Sequence, residues 1–279
     1  MADIGKINHL KVLKAVDFGL YLDAGDLGEI LLPSRYVPAG TVVDDWLDVF
    51  IHLDSEDRLI ATTETPKVMV GQCALLKVVA VNRIGAFLDW GLPKDLLVPF
   101  SEQVERMEVG KSYVVFAFLD DIKDRITGTM QLENHLFDKS AWLKEGEAVD
   151  LVIWDETELG FKAAINGTHS GLLYRNEVFQ PLHYGDQLKG FIKAIREDGK
   201  IDLTLQLAPP QATRAALSDR ILQHLRQHQG VSTLTDRSPP AEIYKTFQVS
   251  KGSYKKALGG LYKKRLIRID RDRITLLEK

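Results

Sequence analysis

The sequence predicts a mainly β chain: three tandem five-stranded barrels followed by a basic α+β domain of three helices and a hairpin. Three observations lead there. One segment recurs along the chain, each copy divides into about five short apolar runs bounded by turn residues, and both periodicity and charge change after residue 210. Of 279 residues, 45 % are apolar and 27 % charged, values that exclude wholesale disorder and collagen. The one cysteine, Cys73, rules out an internal disulfide framework and fits a reducing compartment.

Leu10-Lys11-Val12-Leu13-Lys14-Ala15-Val16-Asp17-Phe18-Gly19-Leu20-Tyr21-Leu22-Asp23 aligns without gaps, at an offset of 66, with Leu76–Asp89. A weaker copy runs from Leu151 to Ala163. Each copy continues into a short apolar strand: Ile30–Pro33, Leu96–Pro99 and Gly171–Tyr174. A turn glycine follows (Gly40, Gly110, Gly185), then a β-rich run: Val49–Leu53, Tyr113–Leu119 and Leu188–Ile195. Each unit closes on an acidic turn and a basic residue entering a last strand, at Asp57-Arg58, Asp124-Arg125 and Asp198-Gly199-Lys200. Five strands at this spacing suit a small closed barrel, which leaves no sheet edge exposed. Gly19, Gly85 and Gly160 stand inside the second strand, where a barrel corner crowds any side chain. No helical pattern separates the strands, so a parallel α/β fold is excluded.

These features resemble three S1 RNA-binding domains of the OB-fold type. The family pattern of aromatic–Gly–x–aromatic appears as Phe18-Gly19-Leu20-Tyr21. Its third strand is matched by Leu97-Val98-Pro99-Phe100-Ser101-Glu102 and Gly171-Leu172-Leu173-Tyr174-Arg175-Asn176-Glu177, and its closing cation by Arg58, Arg125 and Lys200. Pro33 and Pro99 replace the family's base-contacting His. The resemblance implies a binding face of Phe18, Tyr21 and Arg58 in the first repeat. In the second it implies Phe87 and Arg125, with Ile84 in place of an aromatic. In the third it implies Lys162, Tyr174 and Lys200.

After Ala208-Pro209-Pro210-Gln211, a linker signal, the pattern turns helical. Leu217, Ile221, Leu222 and Leu225 mark one helix face, ended by Gly230. Ser238-Pro239-Pro240 predicts a capped start to a second helix bearing Ile243, Tyr244 and Phe247. Ser250 caps a third, running to about Arg265, with an expected apolar face of Tyr254, Ala257, Leu258, Leu261 and Tyr262. Leu266–Ile269 and Ile274–Leu277 read as a hairpin with a charged tip. Together these elements make a winged helix. The expected modules are 1–64, 65–144, 145–208 and 211–279. The whole arrangement resembles the conserved virulence factor B family of bacterial RNA-binding regulators, which implies RNA binding and control of gene expression.

Charge divides the chain. Residues 211–279 carry +9 and residues 1–210 carry −12. Lys251, Lys255, Lys256, Lys263, Lys264, Arg265, Arg271 and Arg273 are expected to form a positive face for nucleic acid. Residues 1–70 hold 6 basic and 12 acidic groups and residues 145–210 hold 6 and 11, against 9 and 10 in residues 71–144. The first and third barrels are therefore expected to bind phosphates weakly, or to serve as scaffold or protein contacts. Single-stranded RNA is the expected partner, through base stacking beside cations. DNA read by the winged helix, with the barrels docking partners, is the alternative.

Catalysis is not expected. There is no phosphate loop, no His-Glu-x-x-His and no cysteine pair. A ribonuclease reading lacks an acid or metal constellation. His224 and His228 share a helical spacing without a third ligand and are expected to be exposed; Asp44-Asp45 and Asp120-Asp121 are expected on turns or strand ends, as solvated loop residues. No cofactor or metal is expected. The first residues show no basic segment leading into an apolar run, and no run approaches a membrane span, so a soluble cytoplasmic protein without membrane contact is expected.

Overall fold

The computed structural model describes residues 2–120, 125–139, 142–178, 180–205, 211–247 and 249–277. Of the expected linker at 208–211, residues 208–210 lie outside the described residues, as do Asp121 and Asp124, while Gln211 already belongs to the first helix rather than to a linker.

The first barrel comprises β1 (Ile7–Val16), β2 (Gly19–Asp23), β3 (Glu29–Pro33), β4 (Trp46–Leu53) and β5 (Leu59–Thr62). The second has β6 (Gln72–Val81), β7 (Gly85–Asp89), β8 (Leu96–Pro99), β9 (Ser112–Asp120) and β10 (Arg125–Thr129). The third has β11 (Ala148–Glu156), β12 (Gly160–Ile165), β13 (His169–Tyr174), β14 (Gln187–Ile195) and β15 (Ile201–Thr204). Each sheet closes in the same order, with the third strand parallel to the fifth. Alternation fills each interior: Leu10, Val12, Leu22, Ile30, Leu32 and Ile51 are all buried in the first barrel, with Val149, Leu151, Ile153 and Leu203 in the third.

The recurring glycine has a steric cause. A Cβ on Gly19 would lie 2.2 Å from the Leu32 carbonyl oxygen; on Gly85, 2.3 Å from Val98 O; on Gly160, 2.0 Å from Leu173 O. The second and third strands approach too closely there for any other residue. A bulge recurs too, between Val12 and Lys14, Val78 and Ala80, and Ile153 and Asp155. It turns the remainder of each long first strand toward its second-strand partner.

Neighbouring barrels are docked. Phe50 of β4 packs with the core of the second barrel and meets Trp90 edge-on at 5.8 Å. Lys94 donates to the Asp54 carbonyl at 2.6 Å and to Asp57 at 3.1 Å. Between the second and third barrels, Cys73, Val114, Phe116, Leu132, Leu136 and Ala164 form a buried cluster. There the Tyr184 hydroxyl accepts the Val114 N–H at 2.8 Å. Burial pushes the Cys73 thiol up to about 12, so this thiol stays protonated and inert.

The C-terminal domain has α1 (Gln211–Gln227), β16 (Val231–Ser232), α2 (Pro240–Phe247), α3 (Lys251–Lys263), β17 (Ile267–Ile269) and β18 (Ile274–Leu276). Its sheet has three strands, in the order β16-β18-β17; β16 is too short to stand out in the sequence. Leu217, Ile221, Leu225, Ile243, Phe247, Leu258 and Leu261 build its core. Ser250 caps α3, accepting the Ser253 N–H at 3.0 Å. Two expectations need correction. Ser238 does not cap α2, because its hydroxyl accepts the Thr235 N–H and reaches back to the Thr233 carbonyl. Tyr262 is not on the buried face of α3; it is 57 % exposed.

Candidate nucleic-acid interface

The register places one outward row across the same strands of each barrel. In the first it runs Lys14, Tyr21, Leu31 and Ile60. In the second it runs Ala80, Phe87, Leu97 and Thr127. In the third it runs Asp155, Lys162, Leu172 and Asp202. The closing cations Arg58, Arg125 and Lys200 each stand two residues before the last member of their row. Arg125 opens β10, so the alternation of the strand puts it on the same outer face, while Arg58 and Lys200 immediately precede β5 and β15.

The first barrel carries an open aromatic pair. Phe18 is 57 % exposed and meets Tyr21 edge-on at 6.4 Å. Lys14, which the sequence reading missed, sits over the Tyr21 ring at 4.7 Å and pairs with Glu29. Its match in the second copy is Ala80, so the repeat pattern gave no signal for it. Arg58 is drawn aside: Asp54 takes its Nε and Nη2 at 2.9 and 2.8 Å, and Glu56 lies 2.9 Å from Nη1.

In the second barrel Phe87 is half-buried beside Leu97, and Ile84, at 50 % exposure, holds the position of Phe18. Arg125 does not stand free beside Phe87. It pairs with Asp57 of the first barrel, where Lys94 also binds, so this cation ties two barrels together. The hydrogen bond from Lys94, with Arg125 adding to it, holds the Asp57 carboxyl below the usual carboxylate range.

The third barrel carries a cleft of about 630 Å³, walled partly by the segment that joins it to the second barrel. Glu133 and Leu136 of that segment face Trp154, Lys162, Leu172, Arg196 and Lys200. Lys162 lies over the Trp154 ring at 4.8 Å and is held by Glu133 and by Asp155, the latter at 3.1 Å. Burial works against the Lys162 ammonium, but the two carboxylates outweigh it and push its pKa up. Arg196 donates to the Tyr174 hydroxyl and to Asp202 at 2.6 Å, and Lys193 approaches the Tyr174 ring at 5.7 Å. Lys200 faces Asp198 at 4.0 Å. The predicted residues thus converge, but each cation already has a carboxylate. Trp154 is the bulged residue of β11, and its buried Nε1 has no partner among the described residues.

The winged helix is different. Lys255 has Asp236 at 4.0 Å, Lys251 donates to the Arg237 carbonyl at 3.3 Å, and Arg273 pairs with Asp272 at 3.2 Å. Lys256, Lys263, Lys264, Arg265 and Arg271 are exposed and have no ion pair among the described residues. They span the outer face and end of α3 and the hairpin tip.

His224 departs from expectation: it is half-buried, meets Phe247 at 5.1 Å and bonds Ser232 at 3.3 Å, while His228 is exposed. Among the described residues no group of three ligating side chains is placed to hold a metal, and no helix is long and apolar enough to cross a membrane. Asp44 pairs with Lys11 at 2.6 Å and Asp45 accepts the Val42 N–H at 2.8 Å, as solvated turn residues do.

Tandem five-stranded barrels of this topology, joined to a winged helix, define a class of protein assembled from nucleic-acid-binding modules. An S1 domain model matches residues 4–64 and 70–131, and a CvfB-like winged helix domain model matches residues 219–276. The chain belongs to the S1 and CvfB-like winged-helix family, the family of Conserved virulence factor B. It is 24 % identical to Conserved virulence factor B of Staphylococcus epidermidis over 289 residues, covering 99 % of this chain and 95 % of that protein. The Staphylococcus aureus protein of that name is 24 % identical over 290 residues, with the same coverage. The Bacillus subtilis protein YitL is 28 % identical over 267 residues, 91 % of this chain and 87 % of that one. A Streptococcus pneumoniae structure described as a multidomain protein with nucleic acid binding domains covers 98 % of both chains at 22 % identity and a TM-score of 0.42. The families matched are nucleic-acid-binding domains rather than enzyme families.

Proposed function

We propose that this protein is a non-catalytic, cytoplasmic RNA-binding regulator of bacterial gene expression. In this reading single-stranded RNA runs over the outer faces of barrels 1–64, 65–144 and 145–208 and onto the winged helix 211–279. Phe18, Tyr21 and Phe87 stack bases, and Lys251, Lys255, Lys256, Lys263, Lys264, Arg265, Arg271 and Arg273 meet phosphates. Arg58, Arg125, Lys162 and Lys200 join in only by exchanging a carboxylate for a phosphate, with Tyr174 beside them. The observation that carries the reading is the open Phe18–Tyr21 pair with Lys14 over the Tyr21 ring. An exposed aromatic pair beside an amine matches what unpaired bases and their phosphates need, and serves no packing purpose in the barrel.

The test is RNA binding by a Phe18→Ala, Tyr21→Ala double variant. Each stacked base contributes roughly 1–3 kcal/mol, so the variant is expected to lose at least fivefold in affinity for an oligouridylate while unfolding at nearly the same temperature. Unchanged affinity removes the barrel face from the account. A second reading, a DNA-binding regulator, is favoured by the unpaired cations on α3, the element that enters a groove in winged helices. Binding to duplex DNA as tight as to RNA would support it.

A further inference from the structure

The exposed face of α3 carries more than charge. Tyr262 is 57 % exposed and, among the described residues, its hydroxyl has no hydrogen bond and its ring no aromatic or cation partner. The core of the domain is complete without it, since Tyr254, Ala257, Leu258 and Leu261 fill the inner face. Side chains on a helix lean back over the preceding turn, so the surface beside Tyr262 is that of residues 258 and 259. Leu258 is buried beneath, and position 259 is glycine. A Cβ built on Gly259 or on Gly260 would meet nothing within 4 Å, so neither glycine is required by packing. Each costs about 1 kcal/mol of helix propensity relative to Ala. One face of the Tyr262 ring is thus left open, between Lys255 and Lys256 one to two turns back and Lys263, Lys264 and Arg265 just ahead.

We infer that Tyr262 is a base-stacking residue on the outer face of α3. A base lies against the ring over the bare surface at Gly259, and flanking phosphates meet Lys256 and Lys263. This rests on the RNA-binding reading and deepens it, because it makes the basic domain a stacking platform as well as an electrostatic one. The neutral ring adds affinity that salt does not screen, which separates its contribution from that of the lysines.

The experiment titrates a fluorescein-labelled oligouridylate with full-length Tyr262→Ala, Tyr262→Phe and Gly259→Leu variants over a salt series. Tyr262→Ala is expected to bind about fivefold more weakly with an unchanged salt slope, and Tyr262→Phe to stay within about twofold of wild type. Gly259→Leu is expected to unfold at a higher temperature and yet bind RNA more weakly, because the new side chain improves the helix and covers the stacking surface. Opposite signs for stability and binding are not produced by a residue of purely structural role. Wild-type affinity in Tyr262→Ala overturns the inference while the RNA-binding reading stands. An equal loss for duplex DNA overturns it in favour of a groove contact. A changed sedimentation coefficient with unchanged RNA affinity assigns the face to a protein partner. Failure of the wild-type chain to bind the oligouridylate overturns the RNA-binding reading and this inference together.

Discussion

Replacing Lys256, Lys263 and Lys264 by Gln probes the electrostatic half of the account. These three lysines of α3 and its cap are exposed and unpaired among the described residues. A cation without a carboxylate partner has no competing contact to give up, so each is counted as one phosphate contact. For single strands each contact contributes about 0.7 to the slope of log affinity against log salt. Three contacts give about 2. Over a fourfold rise in salt, wild type is then expected to lose roughly 20-fold more affinity than the variant. Gln keeps the helix propensity of Lys, so the fold is retained. The assay is fluorescence anisotropy of labelled single-stranded RNA at several salt concentrations, with thermal unfolding as a control. A slope unchanged in the folded variant refutes the assignment of this face to phosphates.

Three further outcomes follow from the geometry. Glu133→Gln releases Lys162 from one of its two carboxylates, and an exposed pair of this kind is worth about 0.2–1 kcal/mol, so RNA affinity is expected to rise by about 1.4-fold to fivefold; a fall in a titration sinks the idea that Glu133 occupies a phosphate position. Gly160→Ala forces a Cβ to 2.0 Å from the Leu173 carbonyl and is expected to cost about 3 kcal/mol in denaturant unfolding, whereas a loss within 0.5 kcal/mol would remove the steric account of the repeat. Burial lowers the pKa of His52, and likewise of His169 and His224, below the ordinary 6.5, so the unfolded chain takes up protons first. Their contribution to stability is full above about pH 6.5 and is lost as pH falls toward their folded values, so the unfolding temperature should drop across that window, and less so in His52→Gln.

The barrels were legible because their constraints are local and recur. A close strand approach demands Gly at 19, 85 and 160, and a tight turn sets Gly40, Gly110 and Gly185 at φ of 85°, 87° and 85°. The docking of barrels was not legible, because Phe50 with Trp90, and Asp57 with Lys94 and Arg125, join positions far apart in the chain. That hidden contact is why Arg125 looked like a free phosphate ligand. Tyr262 looked like a core residue because it lies four residues after Leu258, yet the inner face is already closed by Leu261 one position earlier. Lys14, Trp154 and Arg196 were missed for a different reason. The first barrel matches the aromatic pattern most fully, but in the third Asp155 and Lys162 replace Lys14 and Tyr21, so those neighbours become visible only once the rows are assembled in space.

The central claim is that this chain holds unpaired RNA. It is tested most directly by measuring affinities of the full-length protein for single-stranded RNA, single-stranded DNA and duplex DNA of one sequence, at a low and a moderate salt concentration. At moderate salt, where stacking survives screening, single-stranded RNA is expected to bind more tightly than duplex DNA. Duplex DNA binding as tightly as RNA at that salt would contradict the account.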